Sequence, residues 1–159
     1  MSWAGPLIGD DEASAEVHAV YGDIRATRGV ELISNFWRAL ANDPPTLRRM
    51  WESFNSTMTP GAIDAFTKEL LFLAVSATNG CAYCTALHGS AARTQGMSSE
   101  MLDELMAVIG LANEATRLAA IYRIPVDDRY EALLDELAKL REIDSRRAIA
   151  ERAQKNLSR

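Results

Sequence analysis

Two cysteines and a histidine within one short segment form the clearest candidate for a reactive site. Cys81 and Cys84 enclose two residues, and His88 follows the second cysteine by four positions. On a helix, offsets of three and seven residues fall on one face, so both sulfurs and the imidazole would lie side by side. The first turn of a helix also carries unpaired N–H groups, which favour a thiolate over a thiol. This segment therefore predicts thiol chemistry.

A carboxylate is predicted beside this segment. Glu69 lies in an otherwise apolar stretch, and the Asn-Gly pair at 79–80 is typical of a helix end followed by a reversal. If residues 63–78 and 81–95 form antiparallel helices about that turn, Glu69 and His88 lie roughly 15 and 12 Å from it, at a rise of 1.5 Å per residue. Their side chains can then meet. A carboxylate in apolar surroundings is costly unless it is paired, and an imidazole is a suitable partner.

Several interpretations of the two cysteines stay open at this level. They could be inert core residues. They could also bind zinc together with His88 and Glu69, although there is no second Cys-x-x-Cys pair and His18 is the only further histidine. A thioredoxin-like redox site is disfavoured because no strand-helix-strand pattern surrounds the motif. Position alone does not decide which sulfur attacks first, since Cys81 is nearer the helix start and Cys84 is one turn from the histidine.

The rest of the sequence predicts helices that would position these residues. Apolar side chains recur at helical spacing nearly throughout, and no segment reads convincingly as a strand. Proline and glycine clusters at 42–45 and 59–61 end one helix and begin the next. A later helix is predicted from about 101 to 124, with Gly110 as a candidate joint and Ser98 as a candidate cap. We expect one all-α domain of seven or eight helices. Three aromatic residues on helical stripes are expected in its core: Trp37, Trp51 and Phe54.

Length and charge limit the organisation of the chain and its partners. The 159 residues fit one domain, which we divide into an arm at 1–14, a helical domain at 15–128 and a charged amphipathic helix at 129–159. A net charge of −5 provides no basic face for nucleic acid. The longest low-charge stretch, 70–92, is interrupted by polar residues, so no membrane span is expected. No secretory leader pattern is present, which leads us to expect a cytoplasmic protein.

The motif and its flanks resemble the alkylhydroperoxidase D branch of the carboxymuconolactone decarboxylase family. The signature of that family is a glutamate, a Cys-x-x-Cys pair and a histidine four residues after the second cysteine. The four matching positions are Glu69, Cys81, Cys84 and His88. The likeness covers roughly residues 15–128 and leaves the charged tail unassigned. Its flanking parts are YGDIR at 21–25, NFWRAL at 35–40, GMS at 96–98 and IPVD at 124–127.

The resemblance implies an all-helical fold that assembles into trimers or hexamers, with the Cys-x-x-Cys pair at the start of a central helix. It also implies a thiol peroxidase that uses no metal and no bound organic cofactor. On this hypothesis Cys84 is the peroxidatic thiolate, and His88 accepts its proton while Glu69 orients the imidazole. Cys81 then converts the sulfenic acid into a disulfide. An external dithiol reduces that disulfide, and in the best-known members this reductant is a lipoyl-bearing protein.

The chain departs from the family pattern at Tyr83. Members of the best-described type have a histidine immediately before the second cysteine, and a phenol does not take up a proton near neutral pH as an imidazole does. The departure leaves the strength of any peroxidase activity open. Two other functions also stay open. One is a non-enzymatic, oligomeric thiol switch or binding protein. The other is a decarboxylase, which the family name alone suggests and which would need no redox pair.

Overall fold

A computed structural model describes residues 5–140 and 142 of the chain. All regular secondary structure within those residues is helical, which confirms the all-α prediction. Helical residues also run from 128 to 140. The helices with defined bounds follow a short 3₁₀ turn at Asp10–Glu12 and are α1 (Ala15–Arg28), α2 (Asn35–Leu40), α3 (Pro44–Met58), α4 (Ala65–Thr78), α5 (Ala82–Thr94) and α6 (Ser99–Ile121).

The chain divides into two compact units, Met1–Leu102 and Asp103–Arg159. The division into an arm, a helical domain and a charged tail stays a prediction. Part of the predicted arm, residues 1–4, and part of the predicted tail, residues 141 and 143–159, lie outside the described residues. None of the described helices is both long and apolar enough to cross a lipid bilayer.

The hydrophobic core of the first unit is built mainly from α1, α2 and α3. The apolar residues of α1 recur at helical spacing, and they are buried together with residues of the other two helices. Trp37 makes edge-to-face contacts with both Trp51 and Phe54, with ring centroids 5.7 Å apart in each pair. The core prediction is confirmed for the two tryptophans, whereas Phe54 is only partly buried against this core. The fully buried members of the core include Val17, Val20, Tyr21 and Leu47.

Helices α4 and α5 form the hairpin that the Asn-Gly pair predicts. Asp64 caps the start of α4, where its side chain accepts a hydrogen bond from the Thr67 N–H at 2.9 Å. The helix ends at Thr78 with Asn79 as its C-cap, and Gly80 follows with a φ of 67°, in the left-handed region that glycine adopts without strain. Cys81 then caps the start of α5. The Cys-x-x-Cys pair therefore lies at a helix start, as expected.

Helix α6 differs slightly from its predicted bounds. It begins at Ser99 rather than near residue 101, and it ends at Ile121 rather than near 124. Ser98 caps it as expected, because its Oγ accepts the N–H of Met101 at 3.1 Å. The predicted joint at Gly110 is wrong, since the helix continues through that residue. A single glycine lowers helix stability by only about 1 kcal/mol, which surrounding helical residues can offset.

Candidate active site

His88 and Glu69 form a buried pair across the α4–α5 hairpin. The Nδ1 atom of His88 lies 2.6 Å from Oε2 of Glu69, and the two residues are only 3% and 4% exposed. The predicted meeting of these side chains is thus present in the structure. When the Nδ1–H of a neutral imidazole donates to the Glu69 carboxylate, Nε2 of the imidazole is left as the proton acceptor. The pair therefore has the arrangement of an oriented general base.

Phe72 fixes the same imidazole by stacking. It follows Glu69 by three residues on α4, and its ring centroid lies 3.7 Å from that of His88 with an interplanar angle of 19°. The ring of Phe54 approaches the imidazole from α3, with centroids 6.3 Å apart. Sequence analysis did not single out Phe72 as part of the site. The signal was its spacing from Glu69, because residues three apart share a helix face.

The two cysteines are joined by a disulfide, and their Cα atoms are 5.4 Å apart. That Cα separation lies within the range in which two sulfurs can bond without backbone movement. The sulfur of Cys81 also accepts the backbone N–H of Cys84 at 3.2 Å, so it satisfies a donor in the first turn of α5. The pair can therefore exchange between dithiol and disulfide forms at the start of this helix.

An apolar cavity of about 340 Å³ in the first unit contains both Cys84 and His88 in its wall. Cys81 does not line this cavity. The volume of the cavity lies near the lower end of the range for small-molecule sites, about 300–1,000 Å³. A ligand in the cavity would therefore meet the second sulfur of the motif and the imidazole together. The wall also includes the side chains of Phe36, Trp37, Phe54, Phe72, Tyr83 and Leu87.

Tyr83 connects the motif to α2. Its hydroxyl oxygen accepts the backbone N–H of Phe36 at 3.2 Å, near the start of that helix. The capping residue of α2, Ser34, makes no side-chain capping hydrogen bond. The tyrosine therefore satisfies one of the N–H groups that a helix start leaves without an internal partner. At this position the chain has a structural contact where the resembled family members have a histidine.

The alternative zinc site has no counterpart in the described part of the chain. No group of three or more His, Cys, Asp or Glu side chains there is placed to hold a metal ion. His18 lies outside the candidate site and is half-exposed on α1, where its Nδ1 is 3.9 Å from Oδ1 of Asp10. Cys81, Cys84, His88 and Glu69 are thus assembled as a disulfide beside an imidazole–carboxylate pair.

Comparison with known proteins identifies the family. The family model described as carboxymuconolactone decarboxylase family matches residues 44–127, which include the whole α4–α5 hairpin. The structure is similar to that of the alkylhydroperoxidase AhpD core from Rhodospirillum rubrum, with a TM-score of 0.76 and 44% sequence identity over 82% of this chain and 98% of that chain. No curated protein matches the sequence. Since the family model covers more than half of the chain and the fold is shared with a close relative, the chain belongs to the carboxymuconolactone decarboxylase family.

Proposed function

We propose that the protein is a thiol-dependent peroxidase that reduces organic hydroperoxides. The main observation in support is that Cys84 and His88 share the wall of one apolar cavity, while the buried Glu69 holds the imidazole. Membership of the family and the similarity to an alkylhydroperoxidase core also support this proposal. The arrangement combines a nucleophile, a base and a residue that orients the base, and these are the parts that nucleophilic catalysis requires.

In the first step the reduced protein attacks the hydroperoxide. His88 accepts the proton of the Cys84 thiol, and the resulting thiolate attacks the terminal oxygen of the substrate. The O–O bond breaks, so that the sulfur becomes a sulfenic acid and an alkoxide leaves. The imidazolium then gives its proton to the alkoxide, which leaves as the alcohol. Glu69 stabilises the charged ring while it holds that proton.

In the second step Cys81 resolves the sulfenic acid. Its thiol displaces the hydroxyl group of the Cys84 sulfenic acid, which forms the disulfide and releases water. Cys81 suits this role because it lies within bonding reach of Cys84 but outside the cavity wall. An external dithiol then supplies two electrons and two protons by exchange with the disulfide, and the two cysteine thiols are regenerated.

The partners and the assembly follow from the family resemblance. We propose that the external dithiol is a lipoyl-bearing protein and that the chain acts as a homo-oligomer, a trimer or a hexamer, in the cytoplasm. No metal ion or bound organic cofactor takes part in the proposed steps. Gel filtration with light scattering measures the oligomer number. A comparison of dihydrolipoamide with glutathione as reductants tests the preference for a dithiol.

Single cysteine variants test the assignment of roles. Cys81→Ser should accumulate a sulfenic acid at Cys84 after one equivalent of hydroperoxide, detectable with dimedone and mass spectrometry. Cys84→Ser should form no sulfenic acid, and a dimedone adduct on Cys81 in this variant would refute the assignment. Continued peroxide consumption with excess dithiol separates an enzyme from a thiol switch, because a switch stops after one equivalent. If the protein released CO₂ from a carboxylated lactone and did not turn over peroxide, it would be a decarboxylase and the peroxidase proposal would be wrong.

A further inference from the structure

Among the described residues, Arg28 is the one arginine that lines the mostly apolar cavity. Arg28, the last residue of α1, contributes to its wall, and the guanidinium carbon lies 5.2 Å from the ring centroid of Phe54. No acidic residue of the described part of the chain lines this cavity. Within the described residues, none of the ion pairs involves Arg28. The arginine therefore offers a positive charge to the cavity, and no ion pair with a carboxylate of the described residues neutralises it.

The ring of Phe54 lies near both the arginine and the imidazole of the candidate site. Phe54 contacts the guanidinium of Arg28 and also lies 6.3 Å from the His88 ring, centroid to centroid. The wall includes Val30 and Leu32 from the segment that follows α1. Because Arg28 and Cys84 line the same mostly apolar wall, a ligand suited to both combines an anionic group and a reacting group joined by an apolar part.

We propose that the cavity takes fatty-acid hydroperoxides of medium chain length, with the carboxylate paired to Arg28 and the O–O group at Cys84. This inference rests on the proposed peroxidase function and specifies its substrate class. A planar guanidinium matches a carboxylate with two parallel hydrogen bonds, and the alkyl chain would bury its surface against the apolar wall. The volume of about 340 Å³ favours a medium chain over a long one.

The kinetic test compares a fatty-acid hydroperoxide with its methyl ester, because the two differ only at the carboxylate. The acid should have a kcat/KM roughly tenfold higher than the ester, the size expected for one charge-assisted hydrogen-bonded contact. Arg28→Gln should abolish most of this preference. Arg93→Gln is the matched control, since Arg93 is also a last-turn arginine, on α5, and it does not line the cavity. An equal loss of kcat/KM for acid and ester in Arg28→Gln would overturn the proposal.

A binding test separates this inference from the peroxidase proposal. Decanoic acid has no O–O bond, and its binding can be followed by calorimetry and by tryptophan fluorescence, to which Trp37 in the cavity wall contributes. Decanoate should bind more tightly than decanol, and Arg28→Gln should weaken decanoate binding roughly tenfold. Decanoate binding without turnover of any hydroperoxide would support the carboxylate site and contradict the peroxidase proposal alone. Turnover of hydroperoxides with no decanoate binding and no preference for the acid would contradict the carboxylate site alone.

Discussion

The imidazole of His88 lies nearly parallel to the phenyl ring of Phe72, with 3.7 Å between the ring centroids and 19° between the planes. Glu69, three residues before Phe72 on the same helix, bonds the Nδ1 atom of that imidazole. One helix face thus supplies both the hydrogen-bond partner and the stacking partner of a single ring. The position and the tilt of the imidazole are consequently both determined by α4.

The carboxylate of Glu69 should be needed for the rate of thiol oxidation. Glu69→Gln keeps the size of the side chain but removes the charge that stabilises the imidazolium, so we expect the rate to fall roughly 10²-fold. Stopped-flow measurement of the reaction of the reduced protein with hydroperoxide gives this rate. Glu104→Gln, at an exposed position of α6, is the matched control. A Glu69→Gln protein whose thermal stability falls while its rate stays unchanged would show that the pair is structural and would contradict this prediction.

Phe72 should contribute through the orientation of the imidazole. Phe72→Leu removes the stacked ring and lets the imidazole rotate, and we expect the rate of peroxide reduction to fall roughly tenfold from the loss of positioning. Phe66→Leu makes the same change elsewhere on α4, at a partly buried residue that does not line the cavity. Equal rate losses in the two variants would attribute the effect to the stability of α4, which thermal unfolding monitors in parallel.

The tyrosine of the motif offers a test of the departure from the family pattern. Tyr83→His places an imidazole beside Cys84, and we expect severalfold faster peroxide reduction near neutral pH, because an imidazole can accept a thiol proton there. Tyr83→Phe also lacks the hydroxyl that accepts the Phe36 N–H, but it adds no base. Comparing the pH–rate profiles of the two variants separates the new base from the lost hydrogen bond. A rate in Tyr83→His no higher than in Tyr83→Phe would contradict the prediction.

The cap of α4 should make stability depend on pH. Hydrogen bonds from the side chain and then the backbone of Thr67 lower the pKa of Asp64 below its ordinary value of 3.8. Since the folded pKa lies below that of the unfolded chain, the ionised cap stabilises the fold above about pH 4, and this contribution is lost as the pH falls through the folded value. Asp64→Ala should therefore lower the Tm at neutral pH.

Thermal unfolding of Asp64→Ala and of the unmodified protein, followed by circular dichroism at several pH values, checks this prediction. The Tm difference between the two proteins should shrink as the pH falls below about 4. Thr67→Val is a useful comparison, because it removes the hydroxyl donor but keeps the backbone N–H that also bonds Asp64. A Tm difference that stays constant over the whole pH range would exclude the carboxylate as its source.

The buried pair was predictable because regular geometry alone determines it. A constant helical rise and a single Asn-Gly reversal fix the depths of Glu69 and His88, and the cost of burying a charge gives them a reason to meet. The cap at Ser98 was predictable for a similar reason, since a hydroxyl at a helix start has few other partners. In the first case one hairpin sets the geometry, and in the second case one helix start does.

The cavity was not predictable in this way. The apolar spacing of Trp37 and Phe54 predicts burial, but it does not specify which neighbouring helix each ring contacts or where packing leaves space. Arg28 reaches the cavity wall only because the end of α1 lies near the ring of Phe54 on α3. Contacts between distant segments depend on how several helices pack together. The apolar period of a single helix does not predict these contacts.

The hairpin joined at Gly80 has a kinetic consequence. Glu69 and His88 are held on two helices that pack directly against each other. The entropy lost in bringing acid and imidazole together is therefore lost once, when the polypeptide folds, and not again in each turnover. Because the His88 imidazole is oriented before the substrate binds, it needs little reorganisation as charge develops in the transition state.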